Sequence, residues 1–194
     1  MNRIPVVAVV GPTASGKSDL AVEICRRFGG EVVSADSMQI YRRMDIATAK
    51  PTEKEKKGIP HHMMDFLENT EPYSVALYQE AAQKCIAEIR AAGKLPVVVG
   101  GTGLYIDTLL NNVKLSEESY DKELRRSLLK RAEEEGTEKL IEEVREFDPD
   151  YAEKLHPNNV KRIVRALEVW KTCGVTMTDQ IALSKRESPY DVCY

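Results

Sequence analysis

The amino-acid sequence predicts an α/β fold in which a parallel sheet is flanked by helices and followed by a helical insertion domain. Short apolar runs rich in β-branched residues, at 4–10, 31–35 and 95–99, are typical of strands buried on both faces. Amphipathic helical patterns separate these runs, and strands that alternate with helices indicate a parallel sheet. After about Lys114 no buried-strand pattern continues, which predicts the helical insertion.

The helices between the strands are predicted from apolar periodicity. One spans about 16–28, ends at the glycine pair 29–30, and has an apolar stripe formed by Leu20, Ile24 and Phe28. Another spans about 74–92 and carries apolar residues along one face. The charged stretch at 52–58 is typical of a solvated helix, and 61–66 of a further short strand.

A change in composition after residue 113 predicts the domain organisation. From 114 to 154 the chain has 14 acidic and 9 basic residues in a strongly helical pattern, which by itself is typical of a solvated face. We predict an α/β core at 1–113, a helical insertion at 114–182, and a return toward the core at 183–194.

The overall composition limits the class of protein. Hydrophobic residues make up 42% of the chain and charged residues 30%, as in soluble globular proteins. The net charge of −3 excludes a global positive field, so a nucleic-acid site requires a local basic surface. No window approaches the roughly 20 apolar residues of a membrane helix, so no membrane partner is expected. The four cysteines lack C-x-x-C spacing, which favours reduced thiols and a cytoplasmic location.

The sequence GPTASGKS at 11–18 matches the phosphate-binding pattern G-x-x-x-x-G-K-[ST], between a predicted strand and a predicted helix. In such a loop, backbone N–H groups and the helix N-terminus surround phosphate oxygens. Lys17 adds a positive charge, and the Ser18 hydroxyl is placed to ligate Mg²⁺. The fold is therefore predicted to resemble that of P-loop NTPases. The predicted phosphate site comprises Gly11, Pro12, Thr13, Ala14, Ser15, Gly16, Lys17 and Ser18.

Two further loops follow predicted strands: DSMQ at 36–39 and GGTG at 100–103. Ligands of parallel α/β sheets bind at the carboxyl ends of the strands, so these loops are expected to converge with 11–18 on one site. Asp36 is the one carboxylate in the three loops. Its position is compatible with a helix N-cap, with an Mg²⁺ ligand, or with a base that removes a proton from an acceptor substrate.

Five motifs stand in order along essentially the whole chain: GPTASGKS, DSMQIYRRMDIATAKP, PHHMMD, LPVVVGGTGLY and DPDYAEKLHPNNVKRIVRALEVWKTCG. DSMQIYRRMDIATAKP and the HPNNVKRIVRALEV segment are more specific than the phosphate loop. Together the motifs resemble those of the tRNA dimethylallyltransferases, also called tRNA isopentenyltransferases.

The resemblance implies a chemistry in which a dimethylallyl group moves from its diphosphate to N6 of the adenosine beside the tRNA anticodon. The loop at 11–18 would then hold the diphosphate leaving group together with Mg²⁺, and Asp36 would act as the general base. The hydroxyls of Thr13 and Thr102 would lie near the reacting groups. The implied catalytic residues are Asp36, Thr13, Lys17 and Thr102.

The resemblance also implies contacts with the tRNA anticodon stem-loop. The target nucleotide would meet Asp36, Ser37, Met38, Gln39 and Thr102, and the segment KRIVR would contact the tRNA. That segment comprises Lys161, Arg162, Ile163, Val164 and Arg165. Residues 157–173 carry a net charge of +3, which as a pattern is as typical of a solvated basic face as of an RNA contact.

Other interpretations stay open at the level of sequence. A small-molecule or nucleotide kinase would use the same loop on ATP, an adenylate isopentenyltransferase would modify free AMP, ADP or ATP, and a non-catalytic module would only bind RNA or nucleotide. Family members usually continue beyond Tyr194, so the chain resembles a C-terminally truncated member whose remaining core is absent. A monomer is expected.

Overall fold

The structure is a computed structural model that describes residues 3–46, 48–113, 121–184 and 186–194. The chain divides into two compact units, 1–113 with 186–194, and 114–185. The predicted start of the helical insertion, at 114–120, lies outside the described residues.

The first unit is built on a five-stranded sheet in the order β3-β2-β4-β1-β5. Every pairing in it is parallel, so the predicted parallel α/β sheet is confirmed. Its central strands are Val-rich and buried, because helices cover the sheet. The strands are β1 (Ile4–Val10), β2 (Gly30–Ser34), β3 (His61–His62), β4 (Leu95–Gly100) and β5 (Tyr190–Cys193).

The helices of this unit are α1 (Lys17–Phe28), α2 (Glu53–Lys56), α3 (Val75–Ala91) and α4 (Gly103–Leu110). The hydroxyl of Ser74 caps α3 by accepting from the Leu77 N–H at 3.2 Å, which satisfies one of the unpaired donors of the first turn. The buried face of α3, which includes Tyr78, Ile86 and Ile89, packs against β2 and β4. The predicted helices at 16–28, 52–58 and 74–92 are therefore present.

The predicted apolar stripe of α1 is wrong in its orientation. Leu20 and Phe28 are 55% and 68% exposed, whereas the buried residues are Ala21, Val22 and Cys25. Small side chains at Ala21 and Cys25 bring the helix close to β4 and β1. The left-handed backbone of Gly16, with φ of 79°, ends the loop and fixes where the helix starts.

The second unit is helical over its described residues, 121–184. Its core contains Leu128, Leu140, Val144, Ile163 and Leu167. The helices are α5 (Lys122–Glu135), α6 (Thr137–Phe147), α7 (Pro149–Ala152), α8 (Val160–Cys173) and α9 (Met177–Ser184). In the described part of the whole chain, no helix has the length and apolar character needed to cross a membrane.

Candidate active site at the carboxyl edge of the sheet

The loop at 11–16 leaves β1 and leads directly into α1, as the motif predicts. Ala14 and Gly16 have left-handed backbones, with φ of 64° and 79°, which turn the loop sharply before the helix. The Lys17 ammonium donates to the Pro12 carbonyl at 3.0 Å and so lies over the loop. The first N–H groups of α1 have no intrahelical partner, because no preceding turn exists, and they lie beside this lysine. The arrangement is suited to an anion.

Asp36 follows β2 at the same edge of the sheet and is half-buried. Its Oδ1 accepts from the Met38 N–H at 2.9 Å, a local bond that fixes the direction of the side chain. Met38 itself is 44% exposed and lies at the surface of this loop.

The third loop is hydrogen-bonded to both others. The Thr102 hydroxyl accepts from the Ser37 N–H at 3.0 Å, and the Thr102 N–H donates to the Ala35 carbonyl at 3.2 Å. On the other side, the Gly11 N–H donates to the Gly100 carbonyl at 3.3 Å. The structure thus brings the three predicted loops together.

Gly100 makes this convergence possible. A Cβ at this position would lie 2.2 Å from the Ala35 carbonyl oxygen. This distance is too short for any side chain to fit. Because β2 and β4 are neighbours, the backbone after one strand passes directly against the backbone after the other. Glycine is needed here for close approach, and not for an unusual φ.

A cavity of about 420 Å³ lies between the phosphate loop, Asp36, residues 48–51 and Glu55. Of the predicted catalytic residues, Thr13, Lys17 and Asp36 line it, together with the predicted metal ligand Ser18. Thr102 is connected to the Asp36 loop through its bond to Ser37.

Gln39, predicted to contact the target nucleotide, lines the cavity and is hydrogen-bonded within the protein. Its side chain is buried, and its amide donates to the carbonyls of Thr48 at 3.1 Å and Ala49 at 3.4 Å. Its oxygen accepts from the buried Ser34 hydroxyl at 3.1 Å. These bonds join the Asp36 loop to residues 48 and 49, so Gln39 helps to fix the position of this part of the cavity wall.

Sequence reasoning missed the other wall of the cavity, which comes from Thr48, Ala49, Lys50 and Pro51. These residues end the DSMQIYRRMDIATAKP motif, and the sequence alone assigns them no role. Lys50 carries no local signal of its function, because one of its partners, Asp65, is 15 positions away in the chain.

The predicted RNA-contacting segment lies on α8 in the second unit. Lys161 and Arg162 are exposed, and Arg165 forms an ion pair with Glu168 at 3.9 Å. Ile163 and Val164 are 0% exposed, within the core of this unit. Their side chains lie on the apolar face that packs the helix, and the contact of this segment with tRNA stays a prediction.

The oxygen atoms that line the cavity fit an Mg²⁺ ion that is bound partly by the protein and partly by a diphosphate. Among the described residues no group of three or more His, Cys, Asp or Glu side chains could hold a metal alone. Mg²⁺ is usually bound by one or two protein oxygens together with substrate phosphates and water. The Ser18 hydroxyl lines the cavity and supplies such an oxygen.

Comparison with known proteins identifies the family. A protein-family model described as IPP transferase matches residues 39–194, which is most of the chain. The chain belongs to the IPP transferase family. The predicted resemblance to tRNA isopentenyltransferases is thereby confirmed.

Relatives in this family are closely similar in sequence. A tRNA dimethylallyltransferase of Caldanaerobacter subterraneus subsp. tengcongensis is 50% identical over 190 residues, covering 97% of this chain and 60% of that protein. One from Oceanobacillus iheyensis is 49% identical over 185 residues, covering 95% and 59%. The chain therefore spans about 60% of the length of the curated relatives it matches.

Solved structures of the IPP transferase family share the fold. A eukaryotic dimethylallyltransferase acting on tRNA is 33% identical with a TM-score of 0.77, covering 97% of this chain and 47% of that one. The full-length tRNA isopentenylpyrophosphate transferase of Bacillus halodurans is 40% identical with a TM-score of 0.61, covering 97% and 58%.

Proposed function

We propose that the protein transfers a dimethylallyl group from dimethylallyl diphosphate to N6 of the adenosine adjacent to the anticodon in tRNA, releasing pyrophosphate. The observation that carries the proposal is the cavity lined by Lys17, Ser18 and Asp36, which pairs an anion site with a carboxylate. The names of the relatives support the same reaction.

The phosphate loop acts on the leaving group. As the bond between C1 and the diphosphate oxygen breaks, negative charge accumulates on pyrophosphate. Lys17 and the N–H groups at the start of α1 are already oriented before reaction, so they stabilise this charge without reorganising. The Thr13 hydroxyl, also in the cavity, donates to a diphosphate oxygen.

Ser18 is the residue that would hold Mg²⁺ with the diphosphate. The bound ion would neutralise part of the charge of the leaving group.

Asp36 acts on the acceptor. The lone pair of adenine N6 is delocalised into the ring, which makes this nitrogen a weak nucleophile. A carboxylate that accepts the N6 proton as the new C–N bond forms raises its reactivity. The Asx-type bond to Met38, and the bond from Ser37 to Thr102, hold the carboxylate in position for this step.

The acceptor is proposed to be RNA because the second unit presents cations on α8. Lys161 and Arg162 are exposed and suited to phosphate contacts, which position an RNA without reading its sequence. The target adenosine would leave its stack to reach an enclosed donor. A tRNA substrate implies a cytoplasmic location, and the monomeric state stays a prediction.

The test is to incubate the protein with labelled dimethylallyl diphosphate, Mg²⁺ and either unmodified tRNA, AMP or ATP. We expect label on tRNA and loss of transfer when EDTA removes Mg²⁺. Lys17→Met should lower transfer by about a hundredfold or more, whereas Lys54→Met, an exposed lysine of α2, should not. Label on AMP or ATP alone would replace this proposal with adenylate prenylation.

A further inference from the structure

The cavity wall opposite the phosphate loop belongs to a segment that lacks its own regular structure. The described residues of 37–51 form turns and one isolated bridge, Tyr41 to Leu67. Main-chain hydrogen bonds join residues 39–42 to 65–67. In the described part of 43–51 the main-chain hydrogen bonds are those of local turns, from Ala49 to Ile46 and from Lys50 to Asp45. Side-chain contacts therefore contribute strongly to the position of 43–51, and the Gln39 amide supplies one set of them.

Lys50 supplies a second set, beside the hydrogen bonds of Arg42 to Asp65 and of Thr48 to Met44. Its side chain is only 4% exposed, although lysine is among the residues least often buried. The ammonium donates to Asp65 Oδ1 at 2.5 Å, to Asp45 Oδ1 at 3.0 Å and to the Tyr41 carbonyl. These three acceptors match the three donors of an ammonium group. One side chain thus ties the start and the end of the segment to Asp65, which lies outside it.

The charges around Lys50 distinguish its role from that of Lys17. One ammonium between the carboxylates of Asp45 and Asp65 gives the cluster a formal charge of −1, so it offers no net attraction to a diphosphate. Burial alone would lower the pKa of Lys50, but its bonds to Asp65 and Asp45 outweigh burial and raise the pKa, so the group stays protonated.

We propose that Lys50 is a positioning residue of the active site, which holds the wall at 48–51 against the donor cavity without contacting the reacting atoms. Its effect on transfer rests on the proposed function, whereas its effect on the order of the segment does not. Asp65 is the principal partner, because it is nearer to Lys50 and less exposed than Asp45, at 46% against 68%.

Limited proteolysis tests the order of the segment directly. Trypsin is expected to cut after Arg43, which is exposed and has a left-handed backbone with φ of 63°. Trypsin does not cleave before proline, so the Lys50–Pro51 bond is not a site and Lys50→Met removes none. The control is Lys54→Met, which removes the exposed tryptic site after Lys54, so the comparison uses only the cut after Arg43. Fragments are identified by mass spectrometry under conditions where circular dichroism shows each variant folded.

We expect Lys50→Met to be cut after Arg43 at least about tenfold faster than the wild type, and Lys50→Arg to be intermediate. Inorganic pyrophosphate with Mg²⁺ should bind several-fold more weakly, and kcat/KM for transfer should fall by about a hundredfold. Asp65→Asn should resemble Lys50→Met, and Asp45→Asn should have a smaller effect. If Lys50→Met does not fold, Lys50→Arg and Asp65→Asn serve as the test.

The inference would be overturned if folded Lys50→Met matched the wild type in cleavage rate, pyrophosphate binding and transfer. If Lys50→Met does not fold, the same result in Lys50→Arg and Asp65→Asn would overturn it. A lower melting temperature with unchanged kinetics and cleavage would also overturn it, because the lysine would then be merely structural. If the wild type neither binds pyrophosphate nor transfers the prenyl group, the proposed function fails, and the cleavage after Arg43 alone decides the role of Lys50.

Discussion

At the scale of single residues, the site contains two kinds of side chain: those that are proposed to take part in the reaction and those that position the surrounding loops. Lys17 and Asp36 line the cavity and are assigned chemistry. Gln39 and Lys50 line it too, but their polar atoms are occupied by neighbouring carbonyls and carboxylates. Motif spacing predicted the first pair, because phosphate loops and strand-end carboxylates have a local pattern. The second pair depends on contacts formed only in the folded chain.

The role of Asp36 is tested by replacing it with asparagine. Asp36→Asn keeps an oxygen that can accept from the Met38 N–H, so the loop is expected to keep its shape. Transfer to tRNA should fall by about 10²- to 10⁴-fold, because the base is lost, while tRNA affinity in a filter-binding assay stays unchanged. Asp191→Asn, an exposed change on β5, is the control. Unchanged transfer would remove Asp36 from its assigned role.

At the scale of elements, the sheet was predictable and the packing of its first helix was not. The Val-rich runs have one interpretation, because a strand covered on both faces must be apolar throughout. For α1 the sequence contains two alternatives, a stripe of large residues and a stripe of small ones. The small residues Ala21 and Cys25 face the sheet, which leaves Leu20 and Phe28 exposed. Periodicity alone does not decide between these stripes.

The junction between β2 and β4 is tested with a pair of glycine substitutions. Gly100→Ala should lower the free energy of unfolding by about 2–3 kcal/mol, because the new methyl group meets the Ala35 carbonyl. Gly103→Ala, whose Cβ would meet no atom within 4 Å, is the matched control and should be neutral or slightly stabilising. Urea denaturation measures both. Equal stabilities for the two variants would contradict the close approach.

At the scale of the whole molecule, each unit carries a separate part of the proposed reaction. The first unit holds the phosphate loop and Asp36 at one sheet edge, and the second presents exposed basic residues on α8. The parallel fold followed from alternating strands and helices, and the family from long motifs. The RNA-contacting set stays a prediction, and the motif alone does not separate the residues that pack the helix, such as Ile163 and Val164, from those that face solvent.

The central claim is that the phosphate loop holds a departing pyrophosphate and that no phosphoryl group moves. The most direct measurement is the ratio of pyrophosphate released to dimethylallyl groups on tRNA when the protein, Mg²⁺, dimethylallyl diphosphate and unmodified tRNA react. We predict one pyrophosphate released for each dimethylallyl group found on N6 of adenosine, with no requirement for ATP. Phosphate released from ATP, without any prenyl group on tRNA, would contradict the account.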